Sequence, residues 1–124
     1  MEEIKEEIRS NLVWLFDEGF SLEFIDTVLF KNTIVFRLWK PVQNSTYSFL
    51  SSELFKVNDI FGEVSVLLSF LNEQKKLKVK NIYIMSPIGG SFERIFIKPN
   101  DYFDGKYSAR EVKSIVFYIS IKDL

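Results

Sequence analysis

In Ser114-Ile115-Val116-Phe117-Tyr118-Ile119-Ser120-Ile121-Lys122 the apolar side chains fall into two sets. Ile115, Phe117, Ile119 and Ile121 share one side of an extended chain, and Val116 and Tyr118 share the other. A period of two is the signature of a β-strand. A strand that is apolar on both sides needs cover on both sides or a partner. Val28-Leu29-Phe30 and Ile34-Val35-Phe36 have the same two-sided character. The protein is therefore organised around a sheet.

Working back along the chain, residues 92–98 and 79–86 read as two further strands, joined by the turn Pro87-Ile88-Gly89-Gly90-Ser91. Residues 33–40 form a strand with Ile34, Phe36 and Leu38 on one face and Val35, Arg37 and Trp39 on the other; Pro41 ends it or confines it to an edge. Residues 20–30 pair with it through Lys31-Asn32, because Asn tolerates positive φ. Residues 47–50 are read as a third short strand. Residues 99–108 read as a loop, and residues 108–113 as one helical turn.

Two segments have the helical period instead. Ile4, Ile8, Leu12 and Leu15 make one stripe along residues 2–18, widened by Val13, Trp14 and Phe16. Glu2, Glu3, Glu6 and Glu7 suit the positive end of that helix, and Gly19 is placed to cap its C-terminus. Ile60, Phe61, Val64, Leu67, Leu68 and Leu71 make the second stripe, along residues 58–76, with Ser52 or Asn58 as its cap and Gly62 weakening its start. The expected fold is α+β. An antiparallel sheet of five to six strands carries two main helices on one face, in the order α-β-β-(β)-α-β-β-β. Nothing repeats and no linker divides residues 1–124, so one domain is expected.

Composition narrows the chemistry. The 124 residues contain neither Cys nor His, which excludes disulfides, thiolate nucleophiles, Ser–His–Asp relays and the usual zinc sites. Sixteen basic and 17 acidic side chains leave a net charge of -1, against a mainly electrostatic nucleic-acid binder. The acidic, amphipathic start lacks the pattern of a secretory signal, and no apolar run is long enough to span a membrane. A cytoplasmic location is expected. With 13 Phe and a single Ala at position 109, propensity tilts toward sheet.

Five groups of residues invite a functional reading. Asn100, Asp101, Tyr102, Asp104 and Tyr107 lie in an acidic, aromatic segment that suits a protein-binding hot spot. The structural alternative is a turn whose aromatics cover the core edge; the EF-hand spacing is absent, and no metal or cofactor is expected. Trp39 is in phase with Arg37, away from Ile34 and Leu38, and with Tyr47 forms a second candidate anchor; the alternative is a small second core. Lys75, Lys76, Lys78 and Lys80, beside Tyr83, form a basic strip for RNA, or a solvated helix end. Gly89-Gly90 precedes a strand, so it reads as a hairpin rather than a phosphate cradle. Glu23, Asp26, Glu53, Glu63, Glu93 and Glu111 are scattered surface carboxylates, of which Glu23 and Glu93, with Arg37, suit cross-strand ion pairs.

No motif names a family; small α+β proteins of near-neutral charge without catalytic signatures are common among bacterial immunity proteins, secretion chaperones and phage accessory proteins, an analogy of size and element order alone. The chaperone order of helix, three strands, helix, two strands, helix is matched in the first half, but a strand stands where the last helix would be. The expected function is non-enzymatic: a protein-binding module, in its most concrete form an inhibitor of the immunity type that covers the active site of a partner toxin. Asp101 and Asp104 would meet basic groups of that partner, and Trp39, Tyr47, Tyr102 and Tyr107 would anchor it. The alternatives are a small-molecule cup or carboxylate-based enzyme, and an RNA-binding sheet. Nucleic acid is the less favoured partner, and self-association through an edge strand or an open sheet face is a further expectation.

Overall fold

The computed structural model describes residues 2–26, 32–42, 52–73 and 77–121. Its helices are α1 (Glu2–Asn11), α2 (Val13–Asp17), α3 (Asn58–Glu73) and α4 (Pro99–Phe103). Its strands are β1 (Ser21–Ile25), β2 (Thr33–Pro41), β3 (Ser52–Glu53), β4 (Phe55–Lys56), β5 (Leu77–Ile88), β6 (Ser91–Ile97), β7 (Glu111–Val112) and β8 (Ser114–Ile121). The fold is α+β, as expected. A six-stranded antiparallel sheet runs in the order β1-β2-β8-β5-β6, with β3 paired to β2, and β4 and β7 form a separate pair.

The two-sided strand β8 lies between β2 and β5. Its inner set, Ile115, Phe117 and Ile119, joins Ile34, Phe36 and Leu38 of β2 and Ile82 and Ile84 of β5 in the main core. The helices close that core with Ile8, Leu12 and Leu15 on one side and Ile60, Val64, Leu67, Leu68 and Leu71 of α3 on the other. Phe36 and Phe117 stack with centroids 5.0 Å apart. The opposite set belongs to a second, smaller cluster of Val35, Tyr83 and Val116, flanked by Ile25 and Tyr118.

The local turn chemistry agrees with the sequence. Gly19 takes φ +92; its N–H donates to the Phe16 carbonyl at 3.1 Å and the Phe20 N–H to the Leu15 carbonyl at 2.9 Å, the paired bonds of a Schellman cap. Ile88 pairs with Ser91, so Gly89-Gly90 is a two-residue hairpin turn. Asn32 has φ 58. Gly62 sits within α3, with open space beside it.

Other segments depart from the expectation. The N-terminal helix is interrupted at Leu12, which has φ -114 and ψ 15. The break leaves Leu12 and Leu15 both buried and turns Val13 and Trp14 outward, so those two do not widen the buried stripe. β1 spans only Ser21–Ile25 among the described residues. Residues 99–103 form α4 instead of a loop: Pro99 opens it, where a missing N–H costs nothing, and buried Tyr102 ties it to the core. Residues 111–112 form β7 instead of a helical turn, because Val112 is buried and pairs with Phe55 of β4. The third strand expected at 47–50 lies outside the described residues. Of the expected ion pairs, Glu23 and Arg37 face each other across β1 and β2 at 2.6 Å. Glu93 instead pairs with Arg110, at 3.3 Å. Among the described residues no helix is long and apolar enough to cross a membrane.

Candidate functional site

The register of the sheet lays its outer face, the one away from the helices, out in rows. Phe96, Tyr83, Val116, Arg37 and Glu23 stand opposite one another from β6 through β5, β8 and β2 to β1. A second row reads Arg94, Met85, Ser114, Trp39 and Ser21. A third holds Asn81, Tyr118, Val35 and Ile25. Phe92 lies two residues before Arg94, opposite Pro87.

The middle of this face is closed and its β6 side is open. Val35, Tyr83 and Val116 are buried, whereas Phe96 is 67% and Phe92 45% exposed. Cations lie on the aromatic rings. The Arg94 guanidinium is 4.8 Å from the Tyr83 centroid, and Lys113 Nζ is 4.3 Å from that of Phe92. Tyr83 also meets Phe96 at 5.6 Å and Tyr118, edge to face, at 5.8 Å. Burial, then the neighbouring Tyr83, holds the Tyr118 hydroxyl above its ordinary pKa, while Arg94 and Arg37 pull the other way. The acid on these rows, Glu23, is engaged by Arg37, so the open side of the face is aromatic and cationic.

The sequence-derived site residues fall in different environments. Tyr102 is 1% exposed and belongs to the core, with its ring 5.2 Å from Phe61 and 5.7 Å from Phe117. Burial, with Glu63 nearby, raises its pKa. It offers no surface to a partner, because the short α4 turns it inward. Trp39 lies on the outer face but is only 6% exposed, and its Nε1 lacks a hydrogen-bond partner among the described residues. Asp101 and Tyr107 are half-buried and Asp104 is exposed. Lys106 lies 5.8 Å over the Tyr107 ring. Since Tyr102 packs on the inner-face residue Phe117, this segment is on the helix side of the sheet and Trp39 is on the other side. The structure does not unite them. Tyr47, Lys75 and Lys76 lie outside the described residues.

Phe92, Arg94 and Phe96 were not singled out in the sequence, although their spacing of two was legible. The missing information was which side of β6 the helices would leave open. Among the described residues no group of three or more Asp or Glu is arranged to hold a metal. No family model matches this chain, and no curated protein or solved structure matches it either.

Proposed function

We propose that this chain is a non-catalytic protein-binding module whose contact surface is the outer face of the sheet along β5 and β6. The observation that carries the reading is the exposed pair Phe92 and Phe96 on the edge strand, with Arg94 between them in sequence. Aromatic and Arg side chains dominate the energetics of protein interfaces, because each combines a large contact area with a directional polar group. The layer beneath is packed, so the exposed rings rest on a rigid support and little ordering is needed on binding. The cations select the partner: a surface with an apolar hollow and carboxylates around it.

The inhibitor form of this reading seats that face over the active site of a partner enzyme inside the cell. A sheet face blocks a cleft without needing catalytic groups of its own, which suits a chain lacking His and Cys. The test is capture by tagged wild-type chain compared with the double variant Phe96→Ala and Arg94→Glu. Hydrogen exchange of the captured complex locates the contact. A partner held by the wild type, lost by the variant and protecting β5 and β6 supports the reading. A partner held equally by both, or protection confined to the helix side, overturns it. A concentration-dependent dimer abolished by Phe96→Ala would replace it with self-association.

A further inference from the structure

β6 ends the sheet, and among the described residues no strand pairs with its outward side. Its register shows which main-chain groups that side carries. Gly89, at φ 58, opens the two-residue turn between β5 and β6. The residues flanking such a turn, Ile88 and Ser91, exchange main-chain hydrogen bonds, and opposed pairs then alternate between bonded and unbonded. Glu93, Ile95 and Ile97 are thus bonded to β5, whereas Phe92, Arg94 and Phe96 turn their N–H and C=O away from it. Two observations agree. Pro87, which has no N–H to give, stands opposite Phe92. The Met85 carbonyl, opposite Arg94, accepts the Lys113 N–H at 2.7 Å, from just before β8. The three residues with outward main-chain groups are therefore the three whose side chains stand on the open aromatic and cationic face.

We infer that β6 takes up an extended segment of the partner protein as an added antiparallel strand. That role rests on the reading that the β5–β6 side is the contact surface, and it adds the partner's main chain to the contact. Strand addition supplies affinity through main-chain hydrogen bonds and specificity through alternate side chains. Here the alternate positions face Phe92, Arg94 and Phe96, so the segment carries an acidic residue with an apolar one two positions away on each side. Glu93, next to Arg94 in sequence, stands on the helix side and is paired with Arg110 at 3.3 Å. The segment's intervening side chains meet Glu93 and Ile95, and Ile95 packs against the main core and favours an apolar neighbour. Lys78 and Lys80 lie at the other end of β5, which β6 does not reach. The charge of Arg94 also disfavours a second copy as the occupant. Two β6 strands paired antiparallel over their full length would set Arg94 directly opposite its equivalent, and like charges there repel. A charged residue on an edge is a common guard against the pairing of identical edges.

The probe is the peptide Thr-Leu-Val-Glu-Thr-Leu-Thr, blocked at both ends, whose Glu would stand opposite Arg94. Amide NMR and hydrogen exchange of the full chain follow its binding. In the free chain the amides of Phe92, Arg94 and Phe96 are expected to exchange fast, and those of Glu93, Ile95 and Ile97 slowly. Millimolar peptide is expected to shift and protect the first three. N-methylation of the peptide's Glu removes an N–H that faces β6 and should weaken binding at least about tenfold. N-methylation of its Val, whose N–H faces away, should change binding by about twofold or less. Exchange of the peptide's Glu for Lys should weaken binding to the wild type by about tenfold, and the chain variant Arg94→Glu should recover it. No binding at millimolar peptide, equal effects of the two N-methyl groups, or protection of Phe92, Arg94 and Phe96 in the dilute free chain overturns the inference. Protection of those amides that grows with protein concentration alone gives the edge to a second copy and overturns it as well. Contact through side chains needs no free main-chain groups, so the two readings fail separately: capture with the Phe96→Ala and Arg94→Glu variant decides the surface, and the two N-methyl peptides decide the added strand.

Discussion

The guanidinium of Arg94 lies 4.8 Å from the centroid of the Tyr83 ring, so a charged side chain roofs an aromatic one at the open side of the sheet. Such a contact contributes about 0.5–1 kcal/mol at an exposed site. Its larger consequence is that the guanidinium is held in place beside Phe96 before any partner arrives.

Replacement of Phe96 by Ala should therefore separate binding from stability. The ring is mostly exposed, and surface truncations of this kind change stability by about 0.5 kcal/mol or less. At an interface anchor the same truncation costs about 2 kcal/mol or more of binding free energy. The thermal midpoint and the partner affinity, measured on the same sample, give the two numbers. A large fall in the midpoint would mean that the ring supports the fold instead.

The two tryptophans should report opposite environments. Trp14 is 71% exposed, whereas Trp39 is buried. The variant Trp14→Phe should keep a blue-shifted emission protected from acrylamide, and Trp39→Phe a red-shifted emission that acrylamide quenches readily. Equal quenching of the two variants would contradict the burial of Trp39.

Tyr102→Phe should leave the protein as stable as before, or more stable by up to about 1 kcal/mol, because the hydroxyl is buried with no hydrogen-bond partner among the described residues. The variant should also flatten the alkaline limb of stability. The folded chain keeps the Tyr102 proton above the ordinary pKa of 10.0, and the unfolded chain releases it there. The unfolded state then binds fewer protons, so stability is unaffected below pH 10 and falls above it, by about 1.4 kcal/mol per pH unit for one group. Urea titrations on both sides of that pH, with and without the hydroxyl, measure the difference; parallel alkaline limbs would contradict it.

Gly19→Ala should destabilise by about 1–2 kcal/mol through the backbone alone. An added Cβ would meet nothing nearer than Lys40 Cε at 3.9 Å, so space is not the obstacle, whereas φ +92 is. Denaturant melts check the size of the loss. Gly62→Ala, inside α3 with open space beside it, should stabilise by a comparable fraction of a kcal/mol to about 1 kcal/mol; a loss there would contradict the helical placement of Gly62.

Much of the fold was legible in short-range pattern. The alternation in β2 and β8 and the stripe in α3 each reflect how one backbone geometry repeats, and a few neighbouring residues suffice to show it. The break at Leu12 was not legible, since the stripe of Ile4, Ile8, Leu12 and Leu15 continues through it. Nor was α4: Asn100, Asp101, Asp104 and Gly105 all favour turns, and the segment becomes helical where Tyr102 enters the core beside Phe61 and Phe117.

The candidate site divides along the same line. By itself the sequence determined the class of the fold, the turn glycines, the absence of His and Cys chemistry, and the presence of strands with two apolar sides. Only the tertiary structure decided which of those sides met the helices. That choice depends on pairings between distant residues, such as Thr33 with Ser120 and Ile84 with Ile115. It buried Tyr102 and Trp39 and left Phe92 and Phe96 in the open. Local periodicity says that a strand has two faces. Which face is covered follows from what the rest of the chain can bury against it.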